Sequence, residues 1–345
     1  MAGGVLRKTV EEGPGERQGP GEELVASAQP YRRELLAHCY RMLGSLHDAE
    51  DLVQETYLRA WRAADRFEGR SSLRTWLYRI ATNACLSAIE SRERRPLPSG
   101  LGAPGDPERP VAETPEVPWL EPIPDALFTG ARAADPAEVA VERSSMRLAL
   151  VAALQHLPPR QRAVLLLRDV LKWRAAEVAE LLETSTASVN SALQRARAQL
   201  KDVSPAEDQL SEPDDPRRRA LLERYAAAFE RKDVAAIVEL FAEDAVWEMP
   251  PFPEWFRGPE AIGRLTEVQC PLRPGDGLMV PTAANGQPAF ALYSRHEGGD
   301  YRPFQLHVLA VRGDLVAHVC SFTGADLFPV FGLPESLPRD TPRSR

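Results

Sequence analysis

LPPRQRAVLLLRDVLKWRAAEVAELLETSTASVNSALQRARAQL, residues 157–200, decides how the chain is read. Pro158 and Pro159 suit a helix start, where a missing amide donor costs little. Residues 160–170 carry a dense apolar run, 174–182 read as a second short amphipathic helix, and Glu183, Thr184 and Ser185 supply a turn. Thr186 begins a third helix, with Ser185 or Thr186 as its N-cap. At about 100° per residue, Val189, Leu193, Ala196 and Leu200 share an inward face. The opposite face holds Ala187, Ser188, Ser191, Gln194 and Arg195. Small residues near the helix start let its backbone enter a major groove about 12 Å wide, and Ser, Gln and Arg can bond base edges. Arg197 and Lys201 are placed for phosphates. From Thr186 to Lys201 there are three cations and no carboxylate. The pattern predicts a DNA-binding helix-turn-helix; the blander reading is a three-helix cluster with a solvated polar face.

The totals bound what surrounds it. A chain of 345 residues suggests two or three domains, and 43% apolar residues suffices for their cores. A net charge of −8 argues against a surface coated in basic residues, so any DNA contact must be local. The N-terminus carries no apolar signal region and no run is long enough to span a bilayer, which predicts a cytoplasmic protein without membrane contact. Cys39, Cys85, Cys270 and Cys320 are too scattered for a metal cluster and read as reduced thiols. No metal, no cofactor and no enzymatic activity are expected.

Residues 1–22, rich in Gly, Pro and charge, read as a disordered leader. Residues 23–95 look all-helical. Leu35, Leu36, Cys39, Met42 and Leu43 recur at helical spacing before Gly44-Ser45, and Asp48 opens the next helix. There Val53, Tyr57, Ala60 and Ala64 face inward. Asp48, Asp51, Glu55, Arg59 and Arg62 face outward, edged by Leu52 and Leu58, which suits docking onto another protein. Residues 66–72 read as a loop whose Ser71 or Ser72 caps a further helix. Leu73, Leu77, Ile80 and Ala84 are its core face, Thr75, Arg79 and Thr82 point away, and Arg92, Arg94 and Arg95 finish it. Arginine, amide and hydroxyl groups near Trp76 and Tyr78 could grip an unstacked strand, although core packing is the plainer role for Trp76.

Residues 96–135 form a linker with nine prolines, and two cations (Arg109, Arg132) against seven acids. It should be extended and poorly packed; Trp119-Leu120 is an odd apolar spot, read as a docking point. Residues 136–203 contain the helix-turn-helix. A shorter acidic linker, 204–216, precedes a third domain at 217–333 and a tail at 334–345. The third domain reads as helices at 217–231 and 234–241, a strand at 245–249, a helix at 259–269, and then hairpins. Asn285-Gly286 is a type I′ turn signal between 278–284 and 287–295, and Gly313-Asp314 joins 304–312 to 315–323. Helices followed by an antiparallel sheet give an α+β domain. His307, His296, Asp300 and Asp314 are its candidate acid–base residues. Asp314 is discounted as a turn residue, and a lone His307 on a strand is more often structural than catalytic.

HDAEDLVQETYLRAW, RTWLYRIATNACLSAIESRERR and the 157–200 stretch, in that order, resemble a bacterial RNA polymerase sigma factor of the extracytoplasmic-function group, over 24–95 and 139–203. The 217–332 region, with RKDVAAIVELFAEDAVWEMPP and FTGADLFPVFGLP, resembles the SnoaL-like cone that some members carry. The resemblance implies a multidomain fold: two all-α domains (a region-two helical bundle and a region-four helix-turn-helix), then an α+β SnoaL-like cone with a curved antiparallel sheet. It implies core RNA polymerase (clamp and flap) and promoter DNA as partners, with room for an anti-sigma factor or small ligand at the C-terminal domain. Asp48, Asp51, Leu52, Gln54, Glu55, Leu58 and Trp61 would meet the clamp, and residues 165–173 the flap. Phe67, Arg70, Ser71, Arg79 and Asn83 would hold a flipped base of the minus-ten element. Thr186, Ser188, Ser191, Gln194 and Arg195 would read the minus-thirty-five element. The linker would thread the polymerase's nucleic-acid channels. The implied function is promoter-directed transcription initiation with a modulating C-terminal domain. The alternative is a stand-alone helix-turn-helix regulator whose C-terminal domain senses a ligand.

Overall fold

The computed structural model describes residues 20–69, 71–90, 94–129, 136–203 and 215–343. The proposed leader lies outside them up to residue 19, as do Arg70, Arg92 and most of the 204–216 linker. Pro20, Gly21 and Glu22 already belong to helix α1 (Pro20–Ala28), correcting the leader's end.

Helices α1, α2 (Arg32–Leu43), α3 (Leu46–Arg62) and α4 (Leu73–Glu90) form the first group. Phasing gave α2 one apolar face, yet His38, Tyr40 and Arg41 are buried as well as Leu35, Leu36, Cys39 and Met42. The cause is a second group of helices that also rests on α2. Gly44, at φ 72, ends α2 in the left-handed conformation. Ser45, not Asp48, caps α3: the Asp48 N–H donates to Ser45 Oγ at 3.1 Å. Helix α4 stops before Arg94 and Arg95, which therefore do not complete it.

The second group is α5 (Pro136–Met146), α6 (Leu148–Gln155), α7 (Pro159–Leu165), α8 (Ala175–Leu181) and α9 (Thr186–Val203). After α7 the chain widens by one residue per turn, with Leu171 N–H donating to Leu166 O at 3.0 Å. Glu183, at φ 51, makes the turn into α9, and Ser185 caps it through Ser188 N–H at 3.1 Å. The two groups share one core: Tyr78 meets Trp173 edge-on at 5.5 Å, and the buried Arg162 donates to Met42 O and to Gln155 Oε1.

The third part comprises α10 (Pro216–Arg231), α11 (Val234–Val238), β1 (Phe241–Glu248), β2 (Trp255–Arg257), α12 (Pro259–Val268), β3 (Gly277–Ala284), β4 (Gln287–Arg295), β5 (Tyr301–Arg312), β6 (Leu315–Thr323) and α13 (Leu327–Val330). Phe241, expected to end a helix, begins β1, and the short β2 carries no sequence signal of its own. The strands lie in the order β2-β1-β6-β5-β4-β3. β1 runs parallel to β6, so the sheet is mixed rather than antiparallel throughout. Its two faces separate by alternation. Phe290 and Leu292 join Tyr225 and Trp247 under the helices, while Ala289, Ala291 and Tyr293 join the core shared with the helical groups. Burial on both faces explains why β4 reads as a continuous apolar run.

The 96–129 stretch is not extended and loose. Trp119, Leu120, Ile123 and Phe128 are buried. Gly105 N–H donates to Trp255 O at 2.7 Å, Trp255 Nε1 to Gly102 O at 2.9 Å, Ser99 N–H to Glu248 Oε2 at 2.7 Å, and Pro124 bridges Ala284. Trp119-Leu120 does dock, but within its own chain. Further on, Glu121 places Oε2 against Ser45 Oγ and Leu46 N–H, both at 2.9 Å, so a carboxylate sits at the positive end of α3. Arg95 spans Asp48 at 2.8 Å and Glu121 at 3.3 Å.

Removing Arg95 takes away the guanidinium that lies 2.8 Å from the buried Asp48 carboxylate, which destabilises. Arg95→Ala is expected to lower stability by about 3 kcal/mol, read as a lower urea midpoint of the first unfolding transition. A shift under about 1 kcal/mol would mean that Asp48 finds water instead.

Candidate nucleic-acid interface

Helix α9 carries its apolar residues inward, with Val189, Leu193 and Ala196 buried. Thr186, Ser188, Ser191, Gln194 and Arg195 are all exposed, forming one polar, cationic strip. Arg197, expected near phosphate, is held in two bonds by Asp169, at 2.6 and 2.9 Å. That exposed pair is worth at most about 1 kcal/mol, so phosphate can displace Asp169.

A second exposed strip runs along α3. Asp51 and Gln54 are exposed, Leu52 and Glu55 are half-buried, and the large apolar Leu58 and Trp61 are 49% and 52% exposed. The two lie one turn apart on the same side of the helix. Asp48 does not belong to this strip: it is buried and bound by Arg95, whereas α3 phasing had turned it outward.

The structure brings part of the third set together. Phe67 stacks obliquely on Trp76, with centroids 4.9 Å apart, which leaves Trp76 half-buried between core and surface. Ser71 is half-buried, Asn83 is exposed, and Ser72 caps α4 through Thr75 N–H at 3.1 Å. Thr82, expected to point away, is buried and bonded to His38 Nε2 at 3.0 Å. Arg79 reaches across to the second helical group and binds Glu180 of α8 at 2.8 Å.

Sequence reasoning missed the residues that tie these surfaces together. Asn285 and Gly286 have φ of 56° and 69°, as a type I′ turn requires. The turn is buried rather than exposed. Asn285 accepts from Ile123 N–H at 3.0 Å and donates to Tyr40 Oη at 2.7 Å and Met146 O at 2.8 Å. Gly286 N–H donates to Asp125 at 2.7 Å, and Gln287 Oε1 accepts from Leu148 N–H at 2.9 Å. One hairpin tip thus touches the first helical group, the linker and the second helical group. The Asn-Gly signal announces the turn but not its partners.

Inside the cone, His307 is buried and its Nδ1 lies 2.9 Å from Tyr225 Oη. Phe229 and Trp247 ring it edge-on at 5.4 and 5.2 Å. His296 is exposed, and Asp300 is paired with Arg302 at 2.8 Å. The four cysteines are free thiols.

Comparison with known proteins agrees with this layout. Family models for Sigma-70 region 2, Sigma-70 region 4 and a SnoaL-like domain match residues 28–95, 147–200 and 222–319. The chain is 58% identical over 325 residues to the ECF RNA polymerase sigma factor SigG of Mycobacterium tuberculosis, covering 93% of this chain and 86% of that one. It is 30% identical over 223 residues to SigJ of the same organism, covering 65% of this chain and 64% of the relative. The crystal structure of SigJ superposes with a TM-score of 0.58 at 23% identity, over 90% of this chain and 100% of that one, and so shares its fold.

Burial holds His307 down to about 3, and burial together with Arg41 and Arg74 does the same to His38. Both rings are neutral in the folded state and protonate near 6.5 when unfolded. Their contribution to stability is therefore complete above pH 6.5 and is lost as pH falls from 6.5 toward 3. Each contributes a slope of up to about 1.4 kcal/mol per pH unit in that window. His307→Gln should flatten the pH dependence of the urea midpoint between pH 6.5 and 4.5; an unchanged slope would show that His307 protonates in place.

Proposed function

The chain belongs to the extracytoplasmic-function RNA polymerase sigma factors, and from that premise we propose how its parts divide the work. The protein binds core RNA polymerase, directs it to promoter DNA and helps open the duplex for initiation. Residues 23–95 and 136–203 are its two sigma modules, and 217–333 is a SnoaL-like module that modulates them. Asp51, Leu52, Gln54, Glu55, Leu58 and Trp61 form the clamp-docking face, with Asp48 supporting α3 from within. Phe67, Ser71, Arg79 and Asn83, with Arg70 outside the described residues, serve the minus-ten element. Thr186, Ser188, Ser191, Gln194 and Arg195 read the minus-thirty-five element.

The observation that carries the modulating role is the buried hairpin tip at Asn285. Two promoter elements about 25 base pairs apart are separated by roughly 85 Å along the DNA, at 3.4 Å per pair. Arg79 and Glu180, on the two modules, are 2.8 Å apart. This arrangement is a closed state that must open before both elements are engaged, and the Asn285 tip holds it shut. The linker bound to the SnoaL-like module has to be released as well before it can thread a polymerase channel. An anti-sigma factor or a small ligand at the C-terminal module would act by shifting this equilibrium.

The cone is not a reaction site in this reading. His307 is bonded to Tyr225 and enclosed by aromatic rings, which supports a structural role. The protein works in the cytoplasm with the polymerase. Among the described residues no helix is long and apolar enough to cross a membrane.

Each of the three side-chain hydrogen bonds of Asn285 contributes about 1 kcal/mol net. Asn285→Ala should therefore raise run-off transcription at limiting sigma factor by at least about threefold; equal or lower output would remove the latch. Trp61→Ala should weaken binding to core polymerase by about tenfold while leaving the protein folded. Unchanged co-migration with core enzyme on a sizing column would take the clamp role from α3.

A further inference from the structure

We propose that the cavity at the seam between the two sigma modules binds a small phosphate-bearing anion. The cavity is a cleft of about 260 Å³ lined by Leu43, Asp48, Arg94, Arg95, Gln155 and Arg162. Among the described residues three guanidinium groups border it, against one lining carboxylate. Arg95 is already committed to Asp48 and Glu121. Arg162 is 4% exposed and, among the described residues, bonds to neutral oxygens: Met42 O, Gln155 Oε1, Gln155 O and Leu157 O. Its Nε–H has no acceptor among the described residues. A desolvated cation without a counter-charge is an unfavourable arrangement that an anion relieves. At the rim, the exposed Arg94 lies 2.8 Å from His156 Nδ1. Burial, Arg94 and Arg162 together hold His156 below its usual range, so this wall already carries a positive potential.

Guanidinium groups bind phosphate oxygens through paired N–H donors, and the volume admits a pyrophosphate or a sugar phosphate rather than a dinucleotide. Leu43 ends α2, Asp48 lies in α3 and Arg94 and Arg95 follow α4, whereas Gln155 and Arg162 belong to α6 and α7. An anion here touches both modules, so it binds the closed state and not the open one, and must favour closure. The inference rests on the closed arrangement proposed above.

The test uses the full-length protein with sodium pyrophosphate as probe at constant ionic strength, by titration calorimetry. A parallel measurement follows energy transfer between dyes at Ser87 and Asn190, both exposed, one on each module. Saturable one-to-one binding is expected, at least tenfold weaker in Arg94→Gln and in Arg162→Gln, and unchanged in Arg302→Gln on the sheet. Arg94 is exposed, so its variant stays informative if Arg162→Gln fails to fold. Energy transfer should rise on binding. Absent or non-saturable binding, or equal binding by Arg94→Gln, overturns the site while high transfer in the free protein leaves the closed state standing. Low transfer in the free protein, unchanged by pyrophosphate, overturns both.

Discussion

The arrangement depends on where one amide goes. Asn285 sits at φ 56 in a tight turn, a conformation that Asn and Gly reach without large strain, and it is fully buried. A buried amide must find partners for its oxygen and its nitrogen, and here they come from three different segments: Ile123, Tyr40 and Met146. Tyr40 passes the connection on, donating to Glu121 O at 2.7 Å. Glu121 in turn caps α3 and shares Arg95 with Asp48. The hairpin tip, the linker and the N-terminus of α3 are thus one polar network. Separating the modules breaks it as a unit, because its members position one another across the seam and each would exchange its partner for water.

What was legible in the sequence was whatever depends on neighbours in the chain. The inward face of α9, its Ser185 cap, the α4 cap at Ser72 and the Asn285-Gly286 turn follow from spacing and local hydrogen bonding. Asp48 shows where this ends. Helical phase puts it on the outward face of α3, and that face is outward only until Arg95 and Glu121 arrive from beyond α4 and from the linker. Thr82 fails for the same reason, since His38 waits on α2. The linker was misread because proline and acid suppress periodicity, and periodicity is the signal by which burial is recognised. A prolyl chain can still lie along a sheet edge, using Gly102 and Gly105 to reach Trp255. The sequence predicts an antiparallel sheet, but β1 runs parallel to β6, which it meets only after β2, α12, β3, β4 and β5 have been laid down.

The candidate DNA surfaces differ in how they are engaged, and the difference has a physical consequence. The α9 strip is open to solvent, whereas Arg79 is spent on Glu180, whose side chain is 73% exposed. An ion pair that wet contributes at most about 1 kcal/mol and is screened at cellular ionic strength. It cannot hold two modules together, although it does occupy the guanidinium. The strength of closure lies instead in the buried contacts: the Tyr78–Trp173 edge, Arg162 among the carbonyls of both groups, and the Asn285 tip. In the proposed reading, recognition and closure therefore fall to separate residues. A partner can displace Glu180 from Arg79 at little cost, while release of the modules requires acting on the hairpin or the seam.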